Sequence, residues 1–167
     1  TFFMMERYRD RTKVRYYILR AEYIKGLSLL ERLQYYAEQY DRPYLSMEVD
    51  ILESIILDRM GEEWQELFLK LLKKAGEYGF VRIISQEGAA VFPLLKKIRV
   101  NYSPETRKEK EWWKKVYTET EKIANYYPGY LNAENAAIKD FSEHAIRILQ
   151  LQAEGMTIRQ IAQTIGL

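Results

Sequence analysis

Phe80-Val81-Arg82-Ile83-Ile84-Ser85-Gln86-Glu87-Gly88-Ala89-Ala90-Val91-Phe92-Pro93-Leu94-Leu95 is the stretch on which the fold turns. Its first six residues are mostly β-branched or aromatic, a composition that suits a pleated strand. Gln86-Glu87-Gly88 carries a turn signal, and residues 89–95 can return antiparallel as the second arm of a β-hairpin. Pro93 has no amide proton to give a ladder, which assigns the return arm to a sheet edge. The expectation is one β-hairpin at about 80–95 in a chain patterned elsewhere as helix.

Gly and Pro number only 8 and 4 in 167 residues, so the punctuation around this stretch is legible. Arg7 to Tyr40 reads as helix with a break near Gly26, and Leu27, Leu30, Leu33 and Ala37 recur at helical spacing. Asp41-Arg42-Pro43 ends that run, and Tyr44-Leu45-Ser46 reads as a short extended piece. A second helix is expected from Glu48, with Val49, Leu52, Ile55 and Ile56 as its apolar stripe and Gly61 as its C-terminal stop. A third runs from Glu62 to about Glu77 and buries Trp64, Leu67, Phe68, Leu71 and Leu72. Its acidic first turns and its Lys70, Lys73 and Lys74 suit the helix dipole.

Beyond the hairpin, Ser103 and Pro104 predict a helix start. That helix carries Trp112 and Trp113 and stops at Pro128-Gly129. Adjacent helical residues point about 100° apart, so the two tryptophans are not expected in one core, and one marks an interface. Another helix covers Asn132 to Glu154, and Thr157 caps a last one, Ile158 to Thr164. The boundary is placed near Asn101 to Pro104, which divides the chain into residues 1–102 and 103–167.

Composition narrows the function. The net charge is only +2, so local clustering carries whatever information charge holds. The absence of cysteine excludes disulfides, thiolate zinc sites and a cysteine nucleophile. No apolar run approaches the roughly 20 residues that span a bilayer, and the expectation is a cytoplasmic protein without a membrane partner. His144 is the one histidine and sits in a helical pattern. Gly76-Glu77-Tyr78-Gly79 lacks the residues of a phosphate loop. Glu62-Glu63 and Asp50-Glu53 fall on helix faces or first turns. No catalytic residue, metal or cofactor is therefore expected, and the chain reads as a non-enzyme.

Two constellations point to nucleic acid. In Leu149 to Leu167, Thr157 opens a helix after Glu154-Gly155-Met156, Ala162 is small, Ile161 and Ile165 share a face, and Gly166 follows Ala162 by four residues. This tract resembles a helix-turn-helix, which implies DNA contact near Thr157, Arg159 and Gln160 and a recognition helix beyond Leu167. The order helix, extended piece, helix, helix, hairpin across Leu29 to Leu95 resembles a winged helix. That resemblance implies a winged-helix-like residues 1–102, a groove-facing helix with Lys70, Lys73 and Lys74, and a wing tip at Gln86-Glu87-Gly88.

Arg7, Arg9, Arg11, Lys13, Arg15, Arg20 and Lys25 lie close together with Tyr8, Tyr16, Tyr17 and Tyr23 between them. These cations suit phosphate contact, and the tyrosines suit either base stacking or packing on the domain. A second group, from Lys96 to Lys115, is mixed with Glu105, Glu109 and Glu111 and reads as a salt-bridged face. The expected function is DNA binding in replication, segregation or transcription control, as a homodimer or within a larger complex. The alternative is a winged-helix accessory module of a replication or chromosome-condensing machine.

Overall fold

The computed structural model of the chain describes residues 2–126, 151 and 157–165. The elements are α1 (Phe2–Leu19), α2 (Tyr23–Gln39), α3 (Pro43–Met60), α4 (Gln65–Tyr78), α5 (Arg82–Ser85), α6 (Gly88–Ile98), α7 (Arg107–Tyr126) and α8 (Ile158–Ile165). The chain is mainly helical, as expected, but no strand occurs among the described residues. The hairpin at 80–95, and with it the winged-helix architecture, is overturned. Val81 to Ser85 form a helical turn, and Gly88 onward is α6 with Pro93 inside it.

Burial explains the outcome. Ala90, Val91, Leu94, Leu95 and Ile98 recur at spacings of three and four and are all buried, while Pro93 faces solvent. A strand would have put alternate residues on opposite faces; the helix buries nearly the whole set. Pro93 lies inside α6, where it forfeits one hydrogen bond at a cost of about 3 kcal/mol that the burial of several large apolar side chains outweighs, at about 1.5–3 kcal/mol each. Gln86-Glu87-Gly88 does turn the chain, but between two helices, with Gly88 at φ +44°.

The first four helices end alike. Ala21 and Asp41, neither of them glycine, adopt φ +54° and +46°, and Gly61 and Gly79 adopt +78° and +70°. Each follows its helix with the same double closure. Glu22 N–H donates to Tyr17 O at 2.9 Å and Ala21 N–H to Ile18 O at 3.2 Å; Arg42 N–H donates to Ala37 O at 2.8 Å and Asp41 N–H to Glu38 O at 3.4 Å. Glu62 to Leu57 and Phe80 to Ala75 repeat the longer bond at 2.9 Å. This is the Schellman arrangement, which satisfies carbonyls that the helix leaves unpaired.

These stops move the expected boundaries. The first break falls at Ala21 rather than Gly26, which lies inside α2, where an added Cβ would come within 2.9 Å of Ile56 Cδ1. Tyr44-Leu45-Ser46 is helical, because Pro43 occupies the first turn of α3. Glu62 and Glu63 precede α4. α7 starts after Thr106 rather than Ser103: Glu109 N–H donates to Thr106 Oγ1 at 3.1 Å, and Glu109 Oε2 accepts from the N–H of Glu105 and Thr106 at 2.8 and 3.1 Å. That reciprocal capping box fixes the start.

α2 packs against α1 and α3; α3 also meets α4, α5 and α6; α7 lies on α4, α5 and α6. Val14, Ile18, Leu30, Leu52, Ile55 and Phe68 are among the fully enclosed side chains. The chain divides into two compact units, residues 1–132 and 133–167. In the second, Leu151 and Ile161 are buried. The expected stop at Pro128-Gly129, the helix over 132–154 with His144 but apart from Leu151, and Gly155, Gly166 and Leu167 lie outside the described residues.

Candidate nucleic-acid interface

α1 buries Val14 and Ile18, one helical turn apart. Arg11 and Arg15 repeat that spacing one step round the helix. Arg11 donates through a terminal guanidinium nitrogen to Glu48 of α3. Arg15 Nε donates to Glu87 Oε2 at 3.1 Å, and its other arm reaches Glu87 Oε1. Glu48 and Glu87 are each 6% exposed. A buried carboxylate without a cation would be costly, so these two arginines hold α1 to α3 and to the entry of α6. Tyr8, Thr12, Tyr16 and Gln86 surround the pairs in a groove of about 510 Å³.

On its other side α1 forms a second groove with α2. Lys13, Tyr17, Lys25, Ser28 and Arg32 line a depression of about 390 Å³. The turn at Ala21 brings α2 back along α1, and Lys25 and Arg32, seven residues apart, share one face. Lys25 Nζ bonds Glu22 Oε2 and lies 5.9 Å from the Tyr17 ring centroid. The hydrogen bond from Lys25 holds the Glu22 carboxyl below its usual range and raises the Lys25 ammonium. Lys13 and Arg32 form no ion pair among the described residues.

The remaining expected contacts are dispersed. Arg9 pairs with the adjacent Asp10 at 3.4 Å. The side chains of Arg7 and Arg159 lie outside the described residues. Lys70 pairs with Glu66 at 2.7 Å on the exposed face of α4, Lys73 is exposed, and Lys74 is half-buried. Lys74 lies near Asp50, whose carboxyl is pushed up to about 6 by burial and then by the charge of Glu53, with Lys74 opposing. Thr157 and Gln160 form a capping box for α8: Thr157 N–H donates to Gln160 Oε1 at 2.9 Å, and Gln160 N–H to Thr157 Oγ1 at 3.4 Å.

Arg32 was not singled out by the sequence; its offset of seven from Lys25 was the available signal. Glu48 and Glu87 as arginine partners had no local signal, being 37 and 72 positions away. The second cationic group is engaged locally. Lys96 sits 4.4 Å from the Phe92 ring, Arg99 5.1 Å from the Tyr117 ring, and Lys97 bonds Asp58. Glu111 pairs with Arg107 at 3.1 Å. Trp112 is buried and donates Nε1–H to Phe80 O at 3.0 Å, while Trp113 is half-buried beside Tyr102, with ring centroids 4.6 Å apart.

Among the described residues, no cluster of His, Cys, Asp and Glu is placed to hold a metal, and no helix is long and apolar enough to cross a membrane. No family model, curated protein or solved structure matches the chain.

Proposed function

We propose that the chain binds DNA through the α1–α2 groove, with Lys13, Lys25 and Arg32 contacting backbone phosphates. The observation that carries this reading is their convergence: three cations from two helices meet on one concave face, and only Lys25 has a carboxylate partner among the described residues. Exchanging counterions for such cations releases ions from DNA and supplies affinity without sequence reading. Arg11 and Arg15 support the face indirectly, by fixing α1. The Thr157 cap gives the C-terminal tract the helix start that a helix-turn-helix uses, and that tract is the second element of the proposal. The setting we favour is replication, segregation or transcription control.

Titration of a duplex and a single strand by fluorescence anisotropy, at about 50 and 200 mM salt, tests the reading. Lys13→Ala and Arg32→Ala should each weaken binding and lower the salt slope by about one. Lys70→Ala should leave both unchanged. Binding that is insensitive to salt, or to both groove substitutions, overturns the proposal.

A further inference from the structure

The opposite flank of α2 carries a groove of different chemistry. Leu27, Leu30 and Leu57 form its floor, and Ile24 and Tyr35 stand on its walls, 70% and 66% exposed. Among the described residues its charged lining is wholly acidic: Glu31 and Glu38 from α2 and Glu53 from α3, with no lysine or arginine. The volume is about 660 Å³. The lining runs along α2 from residue 24 to residue 38, which at 1.5 Å per residue is about 21 Å, or roughly four helical turns. In the wall, Gln34 Nε2 donates to Glu38 Oε1 at 3.0 Å and to Ser46 Oγ at 3.2 Å, while its buried Oε1 accepts from no donor among the described residues.

An elongated apolar trough with a single sign of charge on its rim suits an amphipathic helix of opposite charge. We propose that this groove docks a basic amphipathic helix of a protein partner, with apolar side chains on the leucine floor and lysines or arginines against Glu31, Glu38 and Glu53. Charge argues against the chain's own segments as the occupant. Residues 133–167 carry Glu134, Asp140, Glu143 and Glu154 against Lys139, Arg147 and Arg159. A second copy offers lysines on α7, but the apolar side of that helix, with Trp112 and Val116, is buried in its own core. Among the described residues the site shares only Ile24 and Ser28 with the cationic groove, so it stands independently of the DNA reading.

The test uses the full chain and a labelled synthetic helix of about five turns, with leucines at spacings of three and four and lysines flanking them. A matched peptide with glutamates in place of the lysines is the control. The lysine peptide should bind at least about tenfold more tightly than the control. Glu31→Lys combined with Glu38→Lys should remove that preference, whereas Lys13→Ala should not touch it. Should the double variant fail to fold by circular dichroism, Tyr35→Ser, at an exposed wall position, should still weaken the peptide severalfold. Equal binding of the two peptides, no binding, or indifference to these substitutions overturns the proposal. So does a concentration-dependent dimer abolished by Tyr35→Asp, which would assign the groove to a second copy.

Discussion

Arg15 of α1 and Glu87 at the threshold of α6, 72 positions apart, are joined at two points, with both carboxylate oxygens engaged by one guanidinium. Glu87 is almost fully enclosed, and the Arg15 side chain keeps 23% of its surface. Removing one partner from an enclosed pair costs more than removing both. Glu87→Ala should therefore destabilise the chain by about 2–3 kcal/mol, below the fully buried range because water still reaches the arginine. Replacing both, Arg15→Met with Glu87→Leu, should recover most of that loss. Urea denaturation of the unsubstituted chain and these two variants checks this; a double variant no more stable than Glu87→Ala would show that the pair is not the unit of stability.

The turn after α1 makes a sharper claim. Ala21 holds φ +54°, a conformation in which its Cβ meets the neighbouring carbonyl. Glycine has no such penalty. Ala21→Gly should stabilise the chain by about 0.5–1 kcal/mol despite removing a methyl group. Gly61→Ala is the mirror experiment: an added Cβ there meets nothing within 4 Å, so its cost, about 1 kcal/mol, is backbone strain alone. Thermal melts of the two variants should move in opposite directions.

These two positions show what was legible in the sequence. Gly61 announced its stop, because glycine is the usual residue at a left-handed helix end. Ala21 and Asp41 make the same turn without the signal, so pattern alone places the first break at Gly26, a glycine needed for close packing against Ile56. The apolar stripe of Val49, Leu52, Ile55 and Ile56 was readable from period alone and is buried. The hairpin expectation for Phe80 to Leu95 fails because β-branched residues record a preference for packed surroundings as much as for a strand; the core formed by α3 and α7 supplies those surroundings to a helix. At the candidate site, Lys13 and Lys25 were visible as charges, but which cations would be engaged by Glu48 and Glu87 depended on distant chain.

Gly88 tests the corrected fold directly. At φ +44°, an added Cβ would approach Ile123 Cγ2 to 2.8 Å and the Ala124 backbone nitrogen to 3.6 Å. Gly88→Ala thus combines backbone strain with overpacking against α7. The expected loss is about 2–3 kcal/mol, larger than for Gly61→Ala, read from denaturation midpoints at constant slope. Had residues 80–95 formed a hairpin with Gly88 at its solvent-facing tip, the two substitutions would cost about the same.

Asp50 makes stability depend on pH in the direction opposite to ordinary acid denaturation. Burial, reinforced by Glu53, raises its carboxyl from 3.8 to about 6, and burial raises Glu53 as well. The folded chain therefore holds this proton more tightly than the unfolded chain. By linkage, the Asp50 contribution increases as pH falls from about 6 towards 4 and is lost as pH rises through 6. That rise, discounted for the partial exposure of the group, corresponds to about 1 kcal/mol at neutral pH. Asp50→Asn, which removes the charge and keeps the shape, should raise stability at pH 7 by that amount and leave it nearly unchanged at pH 4. Glu22, Glu66 and Glu109 have lowered values and act in the reverse sense, so the measurement is the difference between the two chains at each pH. A difference that stays flat from pH 4 to pH 7 would mean that Lys74 compensates the Asp50 charge in the folded state.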